Sequence, residues 1–221
     1  MAIPLLSPIP RVFPVARTCF SVMQRESREH IGETVGLLVG TCVRPALLYA
    51  LPPGPSAECM TVSCSSDPDF DQLLLDVLKL RHESKVHVLG YWHKHPPGIC
   101  RPSRGDLRQA VRMVKHEGWN LDVGPLLAVI VSSDPYDKHR KLDVAGFQLR
   151  KDLQGFEPLD LQCVRDNDPT ICACLKAEST EQLPRISSTA NYEPSSPRVK
   201  FESLCLSAMG YKTKVLHSRK N

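Results

Sequence analysis

The most apolar stretches of this chain are short, and the clearest of them runs from Leu126 to Val131. A helix that crosses a membrane needs about 20 predominantly apolar residues, so we predict no transmembrane segment. A short apolar run bounded by turn-forming residues is instead typical of a buried strand. Pro125 to Ser132 is therefore predicted to be a central strand of a sheet, which requires other elements to cover it.

Helical and strand-like periodicities alternate along the chain, as in a mixed α/β or α+β domain. We predict a sheet flanked by helices over residues 11–152, followed by a C-terminal extension over 153–221. The extension is predicted to be partly disordered, because Ser, Thr, Glu and Pro dominate residues 176–200. A long loop is predicted over residues 52–68. The predicted helices cover residues 14–30, 70–80 and 104–116, and the predicted strands cover 35–40, 46–51, 85–92, 125–132, 142–149 and 159–164.

Composition is typical of a globular cytoplasmic protein. Apolar residues make up 42% of the 221 residues, and the apolar start is interrupted by Pro4, Pro8 and Pro10 with no early Lys or Arg, unlike a secretory signal. The nine cysteines are interpreted mainly as reduced, buried thiols. The net charge of +4 comes from the tail, since residues 198–221 hold six Lys or Arg and one Glu. We therefore expect neither a nucleic acid nor a membrane as a partner.

Two histidines, His93 and His95, stand two residues apart at the end of a predicted strand. Alternate side chains of a strand share a face, so both imidazoles can reach one metal ion, although the pair alone more often describes unrelated surface or capping residues. Ser103 and Asp106 have the spacing of a helix capping box, which explains them when they are taken alone. Combined, the two histidines and a carboxylate in the first helical turn provide the three protein ligands of a catalytic zinc site.

The string His93-x-His95-x7-Ser103-x2-Asp106 resembles the motif of the JAMM (JAB/MPN-plus) zinc metalloprotease family. The upstream glutamate of that family has its counterpart in the segment Glu33-Thr-Val-Gly-Leu-Leu-Val-Gly, just after the first predicted helix. Four fixed positions at defined spacing, together with this glutamate, make the match specific. The small size and the single domain resemble the bacterial branch of the family.

The resemblance implies a role for each matching residue. His93, His95 and Asp106 are expected to hold one Zn²⁺ per chain. Glu33 is expected to act on the attacking water as general base and then as acid toward the leaving amine. Ser103 is expected to donate a hydrogen bond to the oxyanion. Amide hydrolysis needs such a proton shuttle and such oxyanion stabilisation.

The resemblance covers roughly residues 11–150 and implies a cytidine-deaminase-like sandwich, with a central mixed sheet flanked by helices. Members of the family characteristically cleave peptide or isopeptide bonds after the C-terminal Gly of ubiquitin or a ubiquitin-like protein. We therefore expect deconjugation or precursor maturation, with a ubiquitin-like protein as partner and activating or conjugating enzymes in the same pathway. An extended substrate tail pairs with an exposed strand edge, and we expect residues 52–68 and 134–141 to form the groove.

Three neighbouring residues need separate interpretation. Lys94 stands where Ser or Thr is common in the family, and it should face away from the metal, so we expect catalysis to survive this departure. Cys100 lies in the loop between the ligands and is either a bystander thiol or a redox-sensitive residue. Trp92 alternates with His93 and is predicted to face the core.

Other functions remain open on the sequence alone. The chain could be a non-catalytic MPN scaffold, a JAMM peptidase with a substrate unrelated to ubiquitin, or a non-haem iron protein, since two histidines and a carboxylate also describe that site. Cys172 and Cys174, with Cys163 or Cys205, form a weaker candidate for a metal site, because their spacing is not that of a zinc ribbon.

Overall fold

The computed structural model describes residues 12–61, 63–133 and 141–178, which form four helices and nine strands. None of the described helices is long and apolar enough to span a membrane. In chain order the elements are β1 (Val12–Ala16), α1 (Arg17–Glu29), β2 (Val35–Thr41), β3 (Ala46–Ala50), β4 (Glu58–Cys59), β5 (Cys64–Ser65), α2 (Pro68–Arg81), β6 (His87–Lys94), α3 (Arg104–His116), β7 (Leu127–Ser133), β8 (Leu142–Leu149), β9 (Phe156–Val164) and α4 (Pro169–Ala177).

Seven strands form one mixed sheet in the order β1-β3-β2-β6-β7-β8-β9. β6 and β7 are parallel, whereas β2 pairs antiparallel with both β3 and β6. A parallel pairing between β1 and β9 joins the two ends, so the sheet closes into a barrel. The predicted α+β class, with a central mixed sheet and flanking helices, is confirmed. The closure itself had no signal in the sequence, because it depends on β1 finding a partner far along the chain.

The N-terminal boundary of the first helix was predicted wrongly. The helix begins at Arg17 and not at residue 14, because Val12–Ala16 is a strand that pairs with β9. Four of its five residues are buried, so neither the alternation of an exposed strand nor a distinct helical face distinguishes the segment. The segment 52–68, predicted to be a loop, contains the small hairpin of β4 and β5.

The folded part of the chain continues past residue 152. β9 pairs with β8 and with β1, and α4 contributes Ile171 and Cys174 to a buried cluster. The sequence boundary between residues 152 and 153 therefore falls between two hydrogen-bonded strands of one sheet. The low-complexity segment predicted over residues 176–200 lies almost entirely outside the described residues.

Helices cover both faces of the sheet. Leu38 packs in the cluster that contains Met23 of α1, whereas the next residue, Val39, packs in the cluster that contains α2 and α4. Consecutive strand residues point to opposite faces, so these clusters lie on opposite sides of the sheet. A third cluster joins Ala110 of α3 to Leu126, next to β7. The three helices α2, α3 and α4 thus pack on the face opposite α1.

Trp92 anchors β6 in the core, as predicted. Its side chain is fully buried, and the indole Nε1 donates a hydrogen bond to the Leu51 carbonyl oxygen at 2.9 Å. Gly36 makes room for this contact, since a Cβ there would lie 1.9 Å from the Leu51 oxygen and 2.7 Å from Nε1. Trp92 therefore fixes the strand that carries the candidate site.

We expect Trp92→Phe to lower the free energy of unfolding by about 2 kcal/mol, because the buried Leu51 carbonyl loses its donor and a small cavity forms. Urea unfolding measures this change. Trp119→Phe is the matched control, because Trp119 is only partly buried, and it should cost less. Equal losses in the two variants would contradict the anchoring role of Trp92.

Candidate metal centre

His93 and His95 stand at the end of β6, in the middle of the sheet. β6 lies between β2 and β7, and Val35 and Ile130 are the neighbours of His93 on the two sides. The backbone stays fixed beyond the strand end, because the His95 amide donates to the Val131 carbonyl at 2.8 Å. Each histidine is only 5% exposed. Both imidazoles are therefore held in place by sheet pairing and burial.

Ser103 and Asp106 form the predicted capping box at the start of α3. The Ser103 Oγ accepts hydrogen bonds from the amides of Gly105 (3.1 Å) and Asp106 (3.2 Å). In return, the Asp106 Oδ2 accepts the Ser103 amide at 2.5 Å. The cap thereby orients the Asp106 carboxylate toward the end of β6.

The three predicted ligands meet at one point. The Nε2 atoms of His93 and His95 are 2.6 Å apart, and they lie 3.2 Å and 3.3 Å from Oδ1 and Oδ2 of Asp106 respectively. With bonds of about 2.0–2.1 Å, the ligand atoms of a tetrahedral zinc site are about 3.3 Å apart. The two histidine–carboxylate separations match this value, and the imidazoles need only a small separation to match it too. The donor set therefore fits a metal ion.

Within the described residues, this is the only group of three His, Cys, Asp or Glu side chains with ligand atoms close enough to share an ion. Cys163, Cys172 and Cys174 form no such group, and Cys205 lies outside the described residues. The structure thus favours the His93, His95 and Asp106 prediction over the cysteine alternative.

The Asp106 carboxylate is held in its charged form. Burial opposes its ionisation, but hydrogen bonds from His93 and His95, the charge of His93 and the Ser103 amide outweigh burial and keep the pKa of Asp106 well below its usual range. The His95 Nδ1 is buried without a hydrogen-bond partner in the described part of the chain. A negatively charged acceptor beside two imidazoles is the electrostatic setting that attracts a cation.

Tyr91 supports the site, and we did not assign it a role from the sequence. Its ring stacks on His93 with centroids 5.8 Å apart, and its hydroxyl donates to the Asp106 carbonyl oxygen at 3.3 Å. The position two residues before His93 on one strand was the available signal, because such residues share a face. Tyr91 thus connects a ligand on β6 to a ligand on α3.

Glu33 reaches the site through strand register. Val35 pairs with His93, and the Lys94 amide donates to the Thr34 carbonyl at 2.8 Å, so the antiparallel pairing continues one residue beyond β2. Continuing it by one more residue sets Glu33 opposite His95, on the face shared by His93 and His95. The Glu33 side chain is half-buried. The four residues Glu33, His93, His95 and Asp106 are therefore assembled around one end of β6.

Lys94 faces away from the ligands and contacts the backbone before Glu33. Its Nζ donates to the carbonyl oxygens of His30 at 2.6 Å and Ile31 at 3.3 Å. These carbonyls follow the C-terminus of α1, where a positive charge is favourable. Lys94 thus joins the ligand strand to the segment that leads into Glu33.

The cysteines of the described residues are all free, as predicted, but only Cys19, Cys42 and Cys174 are buried. The prediction that they are mainly buried is therefore wrong. The Cys100 thiol is half-buried and donates to the Ile130 carbonyl at 3.6 Å. It forms no part of the ligand group.

Residues 17–143 match the family described as prokaryotic homologs of the JAB domain. This range covers more than half of the chain and includes Glu33, His93, His95, Ser103 and Asp106. The chain belongs to this family. No curated protein matches the sequence. Membership of this family and the His93, His95 and Asp106 cluster together suggest a metallohydrolase.

Solved structures are similar in fold. A solution structure of a protein from Desulfitobacterium hafniense is 20% identical with a TM-score of 0.50, over 69% of this chain and 93% of that chain. A protein from Salinibacter ruber is 19% identical (TM-score 0.44; 71% and 92% covered). A JAB1/MPN domain protein from Archaeoglobus fulgidus is 20% identical (TM-score 0.37; 69% and 97% covered). The family assignment rests on the sequence match over residues 17–143.

The capping geometry predicts a double effect of Ser103→Ala. The variant loses the side-chain cap, which should cost about 1 kcal/mol of stability, and it loosens Asp106, which should weaken metal binding at the candidate site about tenfold. Urea unfolding and calorimetric zinc titration measure the two effects. Ser103→Thr keeps the capping oxygen and should restore both, so equal losses in the Thr and Ala variants would contradict the capping role.

The contacts of Lys94 predict that Lys94→Met frees the segment before Glu33. Loss of a charge-assisted bond at a half-buried site should cost about 1 kcal/mol, and hydrogen exchange of the Glu33 amide should accelerate. Exchange monitored by mass spectrometry measures this. Lys85→Met is the matched control, because Lys85 pairs with the exposed Glu83. Unchanged exchange at Glu33 in Lys94→Met would contradict the connection.

Proposed function

We propose that this protein is a zinc-dependent peptidase that cleaves a peptide or isopeptide bond after the C-terminal Gly of ubiquitin or a ubiquitin-like protein. The observation that carries the proposal is the convergence of His93, His95 and Asp106, with Glu33 placed on the same face by strand register. Three ligands and a neighbouring carboxylate are what hydrolysis at a metal requires.

A bound zinc ion would act as a Lewis acid and lower the pKa of a water molecule at its open position. His93, His95 and Asp106 are the residues that would hold it. Glu33 receives the proton of the attacking water and delivers it to the leaving amine nitrogen, because a positioned carboxylate can act first as general base and then as general acid. Burial of the two histidines limits the access of bulk water to the reacting atoms.

Ser103 has the hydrogen-bonding capacity that its proposed role needs. A serine hydroxyl offers one donor and two acceptor sites. The Ser103 Oγ accepts the amides of Gly105 and Asp106, so its own hydrogen is left to donate. An oxyanion forming beside Asp106 is the acceptor that we assign to this hydrogen.

The closed sheet restricts where an extended substrate tail binds. β1 and β9 pair with each other, so the main sheet offers no free edge in the described part of the chain. The hairpin of β4 and β5 is a separate two-stranded sheet that contacts the Glu33 segment, because the Glu33 amide donates to the Met60 carbonyl at 2.8 Å. We propose that a Gly-terminated tail pairs with this hairpin, as expected for part of the 52–68 segment. Residues 134–140 of the second expected groove element lie outside the described residues.

Partners follow from the substrate class. We propose a ubiquitin-like protein or its conjugates as substrate, with activating and conjugating enzymes in the same pathway, in a cytoplasmic setting. A non-catalytic scaffold has less support, because it would not require the five motif residues that this chain retains, which are Glu33, His93, His95, Ser103 and Asp106. A non-haem iron site leaves Glu33 and Ser103 without a role.

The test compares wild type with Glu33→Gln, measuring zinc by elemental analysis and cleavage of a ubiquitin-like fusion after its C-terminal Gly. We expect about one zinc per chain in both proteins, and turnover reduced by about 10²–10⁴-fold in the variant, which loses its proton shuttle. A chelator should abolish wild-type cleavage.

Two variants complete the design. Asp106→Asn should lose zinc and activity together, whereas Glu117→Gln, at the exposed end of α3 away from the site, should lose neither. Zinc-loaded wild type that leaves a panel of ubiquitin-like fusions intact would overturn the substrate class. Preparations that bind no zinc would overturn the metal site and favour the alternative that the protein is a non-catalytic MPN scaffold.

A further inference from the structure

Two cysteines face each other across the small hairpin beside Glu33. Cys59 of β4 and Cys64 of β5 are direct partners in the antiparallel register. The Met60 amide donates to the Ser63 carbonyl at 2.8 Å, so the adjacent pair, Met60 and Ser63, is a hydrogen-bonded one. Pair types alternate along an antiparallel ladder, and Cys59 and Cys64 therefore occupy a non-hydrogen-bonded pair, with Cα atoms about 4.5 Å apart. Disulfides accept Cα separations of about 4.4–6.8 Å.

The hairpin is tightly joined to the segment that carries Glu33. Besides the bond between the Glu33 amide and the Met60 carbonyl, the Cys59 thiol donates to the Thr34 hydroxyl at 3.6 Å. Gly32 lies so close that a Cβ there would be 2.3 Å from the Met60 carbonyl oxygen. Residues on both sides of Glu33 thus contact the hairpin, and a change in the hairpin is transmitted to them.

The Cys64 thiol also lies close to the metal centre. Burial, together with the charges of Glu33, Cys59 and Asp106, raises the pKa of Cys64 to about 12. The thiol is therefore within electrostatic range of both the proposed general base and a metal ligand. Both cysteines are free and half-buried, which leaves them accessible to a small oxidant.

We propose that Cys59 and Cys64 form a reversible disulfide that is a redox modification site controlling the metal centre. The oxidant class is a peroxide. The Cys59 sulfur attacks a peroxide oxygen and the O–O bond breaks; the thiol proton and the hydroxide that leaves form water, and Cys59 becomes a sulfenic acid. The second sulfur attacks the sulfenic sulfur, forms the S–S bond and displaces a second water. Two thiols lose two electrons and two protons, and hydrogen peroxide is reduced to two waters.

The geometry suits a reversible bond. The disulfide closes a loop of six residues, so it stabilises the fold less than a disulfide across a longer loop would. Exposed disulfides are the more easily reduced ones, and both cysteines are partly exposed. Oxidation also removes the Cys59 S–H that donates to Thr34, next to Glu33. The effect on turnover rests on the proposed function, whereas bond formation does not.

The experiment treats zinc-loaded, full-length wild type with hydrogen peroxide and maps its cysteines by non-reducing mass spectrometry. We expect the loss of two hydrogens between Cys59 and Cys64, reversed by dithiothreitol, with zinc content unchanged. In the oxidised protein, hydrogen exchange at the Glu33 amide should change at least threefold and cleavage of the ubiquitin-like fusion should fall at least fivefold. Both effects should reverse on reduction.

Cys59→Ser and Cys64→Ser should each abolish the mass change and the loss of cleavage, whereas Cys172→Ser, which removes an exposed thiol of α4, should abolish neither. Oxidation that stops at sulfinic acid, or that pairs other cysteines, overturns the proposal. A Cys59–Cys64 bond that changes neither exchange at Glu33 nor turnover overturns the control of the site. If the fusion is not cleaved at all, the mass and exchange measurements still decide the proposal independently of the substrate.

Discussion

The pairing of β6 between β2 and β7 is the constraint on which the rest of the site depends. Val35 opposite His93 sets the register on one side, and the parallel pairing with β7 fixes the strand on the other. A shift of one residue would reverse the faces, sending His93 and His95 to the core and Trp92 to the ligand side. Burial of Trp92 and its bond to Leu51 oppose that shift. Core packing and ligand placement are therefore two consequences of one register.

Features formed by residues close together in the sequence could be predicted, whereas features that depend on residues far apart in the sequence could not. His93, His95, Ser103 and Asp106 lie within 14 residues, so strand alternation and a capping box were sufficient to expect them together. α3 was predicted with its observed bounds for the same reason, since its cap and its amphipathic spacing are both local. The place of Glu33 came only from the family resemblance, because its proximity depends on pairing between strands about 60 residues apart.

The elements that were missed are those that depend on distant partners. β1 was predicted as part of a helix, and its partner β9, whose strand over residues 159–164 was predicted, lies about 140 residues further along the chain. β4 and β5 have two residues each, too few for any periodicity to be visible, and their pairing places Cys59 opposite Cys64. Tyr91 was a different kind of omission, because strand alternation did place it beside His93. Nothing in the sequence indicated that the Tyr91 hydroxyl would donate a hydrogen bond to the Asp106 carbonyl oxygen.

Charged groups lie on both faces of β6 around the site, with the carboxylates on the ligand face and the Lys94 ammonium on the opposite face. Asp106 and Glu33 bring negative charge to the ligand face, and the Cys64 thiol beside them is kept protonated by burial and by those charges. On the opposite face, the Lys94 ammonium donates hydrogen bonds to carbonyl oxygens that follow α1. A metal cation is therefore the natural compensation for the two carboxylates. Lys94, between the two histidines, is thus compatible with a metal site, because its ammonium group binds backbone carbonyl oxygens just before Glu33 and lies on the face opposite the ligands.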